Sequence, residues 1–217
     1  IQDFPFVQAP DVKAIRNGIT LLHELGAIED KTTADGVPRL TSIGRTIARI
    51  PLDPRLARML IEANRLGCLG EVQIIVSALT IQDVRERPLD FGAQADQLHA
   101  RFKDKTSDFL GLLKLWDYIT TSRKNNSGNG FRKLMQQEFL HYLRIREWFD
   151  LVRQLQSICE QLGWTQIEDL SLDPLVPTPK IHRSQQGTDA QPNSGGTRYA
   201  TTQVDAIHQS LLSGMLS

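Results

Sequence analysis

The chain has 217 residues, 40% of them hydrophobic, enough for a buried core in one large domain or two small ones. Lys and Arg total 25 against 25 Asp and Glu, so the molecule as a whole casts no long-range positive field, which counts against a free-standing nucleic-acid binder. Cys68 and Cys159 lie far apart without a CxxC, which argues against a disulfide framework and fits a reducing compartment, and no run approaches the roughly 18 apolar residues of a membrane span.

The N-terminal "IQDFPFVQAP" has neither an initiator Met nor the charge pattern of a signal peptide, so the chain reads as a piece of a longer protein. Asp11 can cap a helix whose apolar residues Val12, Ile15, Ile19 and Leu22 recur at spacings of three and four, with Gly26 as a left-handed exit. "AIEDKTTADGVPRL" then reads as a β-hairpin with Asp35-Gly36 at its tip, followed by a short helix from near Thr41 through Ile43, Ile47 and Ile50. Helix, wing and short helices make a winged-helix pattern. In "RIPLDPRLARML" Pro51 stops one helix, and Asp53-Pro54 is an N-cap followed by proline at the first helical position of the next. Leu56, Met59, Leu60, Ala63 and Leu66 supply that helix's buried stripe, and Gly67 follows its end.

Beyond Gly67 the pattern is almost wholly helical. "LGEVQIIVSALTIQD" has the apolar content of a central bundle helix, Pro88 marks a loop, and "AQADQLHARF" makes a short amphipathic helix. "TSDFLGLLKLWDYITTS" takes Thr106 or Ser107 as its cap and turns Phe109, Leu112, Leu113 and Trp116 inward. "RKNNSGNG" reads as a polar connection, since it lacks the GK[ST] ending of a phosphate cradle, and one long stripe runs from Phe131 to Leu162 until Gly163 stops it. "RSQQGTDAQPNSGGTR" is too polar to offset its ordering entropy by burial and reads as a linker or insertion, after which "QVDAIHQSLLSGMLS" returns to helical spacing. The fold class expected is mainly α: a winged-helix domain with a junction helix over residues 1–66, a helical bundle over 67–170, a linker over 171–202 and a helix over 203–217 leading into a further domain.

No self-contained catalytic motif appears. GxxxxGK[ST], HExxH and GxSxG are absent, no closely spaced Cys/His ligands suggest a metal, and the five histidines are scattered. The chain by itself is therefore not expected to be an enzyme or to hold a cofactor or metal.

The blocks "FPFVQAP", "LLHELGAIED", "RLTSIGRTIARIPLDPRLARML", "CLGEVQIIVSALTIQDVRERP", "RFKDKTSDFLGLLKLW" and "EFLHYLRIREWFDLVRQL" together resemble the winged-helix and helicase-associated helical-bundle region of DEAH-box ATP-dependent RNA helicases. The last two blocks are most similar to the bacterial HrpA type. The resemblance implies an accessory region of a cytoplasmic RNA helicase that packs on two RecA-like motor domains, where ATP and Mg are bound. It also implies a bundle that flanks the single-stranded RNA channel, with an activator protein as a further partner. On that basis the RNA-contact candidates are Asp108, Lys114, Tyr142, Arg144 and Arg146, and Pro51, Asp53 and Pro54 form the domain junction. Arg144 and Arg146 project about 200° apart on a helix, so the two do not face one strand together, and Arg146 has Asp150 one turn on as a salt-bridge partner. The sequence departs from the family at His141, where "FLNY" carries Asn, and at Lys114, where many eukaryotic members carry Asn.

Two other functions fit the pattern. A DNA-binding winged-helix regulator would read bases with Arg45 and Arg49, and a protein-interaction scaffold would dock activator peptides on the exposed face of residues 11–25.

Overall fold

Asp11 opens the first helix, α1 (Val12–Glu24), by accepting a hydrogen bond from the Lys13 N–H at 3.2 Å, and Gly26 leaves it at φ 66°. The computed structural model describes residues 11–32, 38–164 and 201–215. They fall into two compact units, one holding the described residues up to Val72 together with those from Asp205 onward, the other Gln73–Val204.

In the first unit β1 (Ile28–Thr32) and β2 (Pro38–Leu40) pair antiparallel with Ile28 opposite Leu40. The turn expected at Asp35-Gly36 lies outside the described residues. The Thr41 hydroxyl then does two jobs. It donates to the Gly26 carbonyl at 2.6 Å, tying the wing to the end of α1, and accepts from the Gly44 N–H at 3.0 Å to cap α2 (Ser42–Ile47). Gly44 is required by close approach, since a Cβ there would stand 1.9 Å from the Ala27 carbonyl oxygen.

The double-proline corner forms as the residues dictate. Asp53 accepts from the Arg55 N–H at 2.9 Å, Pro54 occupies the first turn of α3 (Pro54–Leu66), and Gly67 closes it at φ 75°. α4 (Leu69–Thr80) follows and runs from one unit into the other. The chain's last described helix, over Thr201–Met215, seats on α3. Gly214 lies against the Arg55 carbonyl, the Ser213 hydroxyl donates to the Arg58 carbonyl at 3.5 Å, and Ile207 and Leu211 are buried. Ser210 meets Cys68, hydroxyl to thiol, at 3.3 Å. The expected linker over 171–202 falls almost wholly outside the described residues.

The second unit is helical. Gln73 to Ser77 of α4 are all buried, as a central helix requires. α5 (Gly92–His99) lies between two single 3₁₀ turns, Leu89–Phe91 and Ala100–Phe102, and α6 (Asp108–Asn125), α7 (Gly128–Gln137) and α8 (Tyr142–Gln161) complete the bundle; the last helix, Thr201–Met215, is α9. An aromatic cluster sits at the centre of the bundle: Trp116 packs against Trp148 and Phe149, each at 4.9 Å between ring centroids, and the Trp148 indole N–H donates to the Ile74 carbonyl at 3.0 Å. That bond satisfies the one polar atom of a fully buried side chain and offsets the cost of taking its N–H out of water.

Three local expectations are corrected. Ser107 takes the N-cap position of α6 but makes no side-chain hydrogen bond to a helix N–H. "RKNNSGNG" is mostly helix rather than loop: α6 continues through Asn125, and Ser127 caps α7 by accepting from the Gly130 N–H at 3.3 Å. The single stripe from Phe131 to Leu162 is two helices. Phe139 adopts φ 54°, a left-handed conformation that costs a non-glycine residue about 1–2 kcal/mol. Backbone pairing offsets that strain, because the Glu86 N–H donates to the Phe139 carbonyl at 2.8 Å and the His141 N–H to the Val84 carbonyl at 2.7 Å, with Leu140 bridged to Arg85. The break therefore knits residues 84–86 to the start of α8.

Candidate nucleic-acid interface

That knitting builds a concavity in the second unit. Segment 81–85 leaves the end of α4, crosses the start of α6 and is held by the first turn of α8. Between them lies a cavity of about 310 Å³ lined by Ala78, Leu79, Ile81, Val84, Phe109, Leu112 and Trp148, with Asp83, Arg85 and Asp108 as its polar members. Phe109 and Leu112, expected to face inward, are only half-buried because they form this wall, while Leu110, Leu113 and Trp116 take the core. A groove of about 480 Å³ shares Ile81 with the cavity and is lined by Thr80, Leu143, Arg146, Glu147, Asp150, Leu151 and Gln154.

Arg85 and Asp83 close on each other. The guanidinium donates to the carboxylate at 2.7 Å and 3.0 Å, and the Arg85 N–H adds a bond at 2.8 Å. Desolvation pushes the Asp83 carboxyl up, but the Arg85 hydrogen bonds and charge outweigh it and hold Asp83 below the usual carboxylate range. Asp83 in turn raises Arg85, with a smaller contribution from Asp108. The pair is a fixed dipole at the cavity's edge, and Asp108 is the carboxylate there outside the bidentate pair.

The five sequence-derived candidates separate. Asp108, the first residue of α6, is exposed at the cavity. Arg144 is half-buried and donates to the Asp83 carbonyl at 2.8 Å, so it braces segment 81–85. Arg146 is exposed in the adjoining groove; Asp150, its expected partner, pairs instead with Arg153 at 2.7 Å. Asp108, Arg144 and Arg146 thus border one stretch of surface centred on residues 81–85. Lys114 and Tyr142 line neither concavity. Lys114 pairs with Asp104 at 2.7 Å, and that ammonium, with hydrogen bonds from Thr106, holds Asp104 well below the usual carboxylate range. Tyr142 sets its ring edge-on to Phe131 at 6.0 Å, with the Arg132 guanidinium 5.8 Å from its centroid. Pro51, Asp53 and Pro54 stand at the α2–α3 corner.

His141, the departure from "FLNY", has a local explanation: its Nδ1 accepts from the Arg144 N–H at 3.3 Å and caps α8, the job an Asn does at that position. Sequence reading missed Asp83 and Arg85. The available signal was "IQDVRERP", where an acid and a base two residues apart sit between a buried helix and a proline. Arg45, a reader in the DNA-binding alternative, spends a donor on the Leu40 carbonyl at 2.8 Å. Among the described residues no three His, Cys, Asp or Glu side chains group as metal ligands, and no helix is long and apolar enough to cross a membrane.

Residues 18–52 match the family model of the winged-helix helicase-associated domain, and residues 53–112 that of the ratchet-like helicase-associated domain. The chain is 48% identical over 163 residues to the ATP-dependent RNA helicase HrpA of Escherichia coli, and 51% identical over 164 residues to the HrpA homolog of Haemophilus influenzae. The chain carries the helicase-associated domains of the HrpA-type DEAH-box RNA helicases. A more distant relative, the pre-mRNA-splicing factor ATP-dependent RNA helicase DEAH10 of Arabidopsis thaliana, is 26% identical over 172 residues. These alignments cover 75–76% of the chain but only 12%, 13% and 23% of the respective relatives. The two helicase-associated family models meet between residues 52 and 53, inside the Pro51–Pro54 corner.

Proposed function

We propose that this region is the accessory part of an ATP-dependent RNA helicase, packing on the motor domains and forming part of the wall of the single-stranded RNA channel. The observation that carries this reading is the run of two helicase-associated domains in a chain without any nucleotide-binding motif. ATP and Mg belong to the RecA-like motor domains of the parent, and the region works where that parent works, in the cytoplasm. Packing on the motor is supported by α1, none of whose residues is fully buried and whose Val12 is 57% exposed. Such a helix presents an apolar face to be covered.

The channel face in this reading is the surface around residues 81–85. Phe109 and Leu112 offer apolar contact to bases, Asp108 offers an acceptor to base or ribose donors, and Arg146 offers a cation to a phosphate. Arg144 acts through the segment it braces. Photo-crosslinking of single-stranded RNA to the full-length parent tests the assignment. Crosslinks are expected in residues 79–85, 105–112 and 141–147, and a set of crosslinks that avoids all three segments refutes it.

A further inference from the structure

The chain's charge is balanced in total but not in space. Between Asp117 and Glu138 the sequence holds Arg123, Lys124, Arg132 and Lys133 and no acid. Elsewhere in the second unit five cations stand in ion pairs: Arg85 with Asp83, Arg87 with Asp96, Arg101 with Glu138, Lys114 with Asp104 and Arg153 with Asp150. Among the described residues no carboxylate pairs with any of the four on the α6–α7 turn.

Two of the four are held in place by aromatic rings. The Arg123 guanidinium lies 4.7 Å from the Phe149 centroid and that of Arg132 lies 5.8 Å from the Tyr142 centroid. Phe149 and Tyr142 are seven residues apart on α8, which puts them on one face about 10 Å from each other along the axis. Two guanidiniums therefore lie against rings on one face of α8, and the exposed Lys124 and Lys133 stand next to them in sequence. A guanidinium lying on a ring keeps its edge donors for an anion, and four cations without acids create a local positive field that the net charge conceals.

We infer that the α6–α7 turn, carrying Arg123, Lys124, Arg132 and Lys133, is a phosphodiester-binding surface for single-stranded RNA, separate from the surface around residues 81–85. It rests on the RNA-contact reading proposed above, and it assigns the electrostatic part of binding to residues that were not candidates before. Asp108 and Arg123 stand fifteen residues apart on α6, about 22 Å along the helix, so the strand that touches one surface needs several nucleotides to reach the other. Binding here is to backbone phosphates and is therefore indifferent to sequence.

The test is fluorescence anisotropy of short labelled single-stranded RNA of mixed sequence against the whole chain, titrated between about 50 and 200 mM salt. The chain is compared as wild type, as Lys124→Gln/Lys133→Gln, and as Lys13→Gln, a control on α1. Glutamine matches lysine in helix propensity, so the fold is retained, and circular dichroism checks that it is. Each cation–phosphate pair removed from a single strand lowers the slope of log affinity against log salt by about 0.7, so the double variant is expected to fall by about 1.4 in slope and to bind about 25-fold more weakly at 0.1 M salt. The control is expected to match wild type. A double variant that keeps the wild-type slope overturns the α6–α7 assignment and leaves the RNA reading standing. A wild-type chain that binds no RNA overturns both, and one that binds duplex DNA more tightly than single-stranded RNA overturns the choice of partner.

Discussion

Arg144→Ala separates a bracing role from a strand-contact role. In the wild type the Arg144 guanidinium donates to the Asp83 carbonyl at 2.8 Å, across 61 residues of sequence, and the side chain is half-buried. A hydrogen bond with one charged partner contributes about 1.5–3 kcal/mol, and partial exposure places this one at the lower end. Against that, Arg144 sits in the first turn of α8, where a cation opposes the helix dipole, so its removal returns about 0.3–0.5 kcal/mol. The net expectation is a loss of about 1 kcal/mol, or about 4 °C in Tm for a unit of this size. Arg146→Ala, on an exposed side chain without an ion-pair partner among the described residues, is expected to fall within about 0.5 kcal/mol of wild type. Urea unfolding followed by tryptophan fluorescence is the appropriate assay, because Trp116, Trp148 and Trp164 all belong to the second unit. Equal midpoints for the two variants, or a larger loss for Arg146→Ala, would refute the bracing role.

His141→Ala removes the cap of α8 and is expected to cost about 1 kcal/mol in the same urea assay, whereas His141→Asn restores the acceptor and is expected to lie close to wild type. Gly214→Ala drives a Cβ to 2.3 Å from the Arg55 carbonyl oxygen, so α9 must shift off α3; a loss of about 1–3 kcal/mol and faster hydrogen exchange across residues 201–215 are expected. Asp104 is held low by Lys114, so the stability from that pair is fully present above the unfolded carboxylate value of about 4 and is lost as pH falls through the folded value. Lys114→Met should therefore lower stability at neutral pH and flatten the decline below about pH 4, as read from urea midpoints across that range. In the full-length parent helicase, Arg144→Ala is expected to slow unwinding more than ATP hydrolysis, and unchanged unwinding by a stable variant would contradict the proposed channel wall.

Elements set by short-range rules could be read from the sequence. Asp11, Thr41 and Asp53 act as caps because each places an acceptor beside N–H groups that lack partners at a helix start, and Gly26 and Gly67 take the left-handed exits expected of them. The break at Phe139 was hidden, because nothing between Phe131 and Leu162 is a glycine or proline. What stops the helix is a bond to Val84 and another from Glu86, partners more than fifty residues away. The same long-range pairing decides the candidate site. Arg144 could be placed on α8 by periodicity, but only segment 81–85 determines that it braces a carbonyl rather than facing solvent. Asp83 and Arg85 escaped notice for a related reason: an i, i+2 pair has no helical or strand signature, and its meaning comes from the cavity beside it. Ser107 shows the limit of a local rule in the other direction, since the expected cap residue is in position but makes no capping bond.

Net charge describes a chain as a whole and not any one of its faces. A balance of 25 cations against 25 acids suggests a surface without an electrostatic preference, and that inference holds only when charges mix evenly. In this fold five acids of the second unit, Asp83, Asp96, Asp104, Glu138 and Asp150, stand in close pairs with cations two to thirty-seven positions away, from Arg85 with Asp83 to Arg101 with Glu138. Each such pair cancels at distances beyond its own length, and in ordinary salt little of its field survives past about 10 Å. What survives is the field of the charges left over, of both signs, and the longest acid-free stretch among them in the second unit, residues 118–137, holds the α6–α7 turn. A neutral chain can therefore present a positive face without any excess of basic residues, provided that its unpaired acids lie on other faces. That is a property of contact geometry and not of composition.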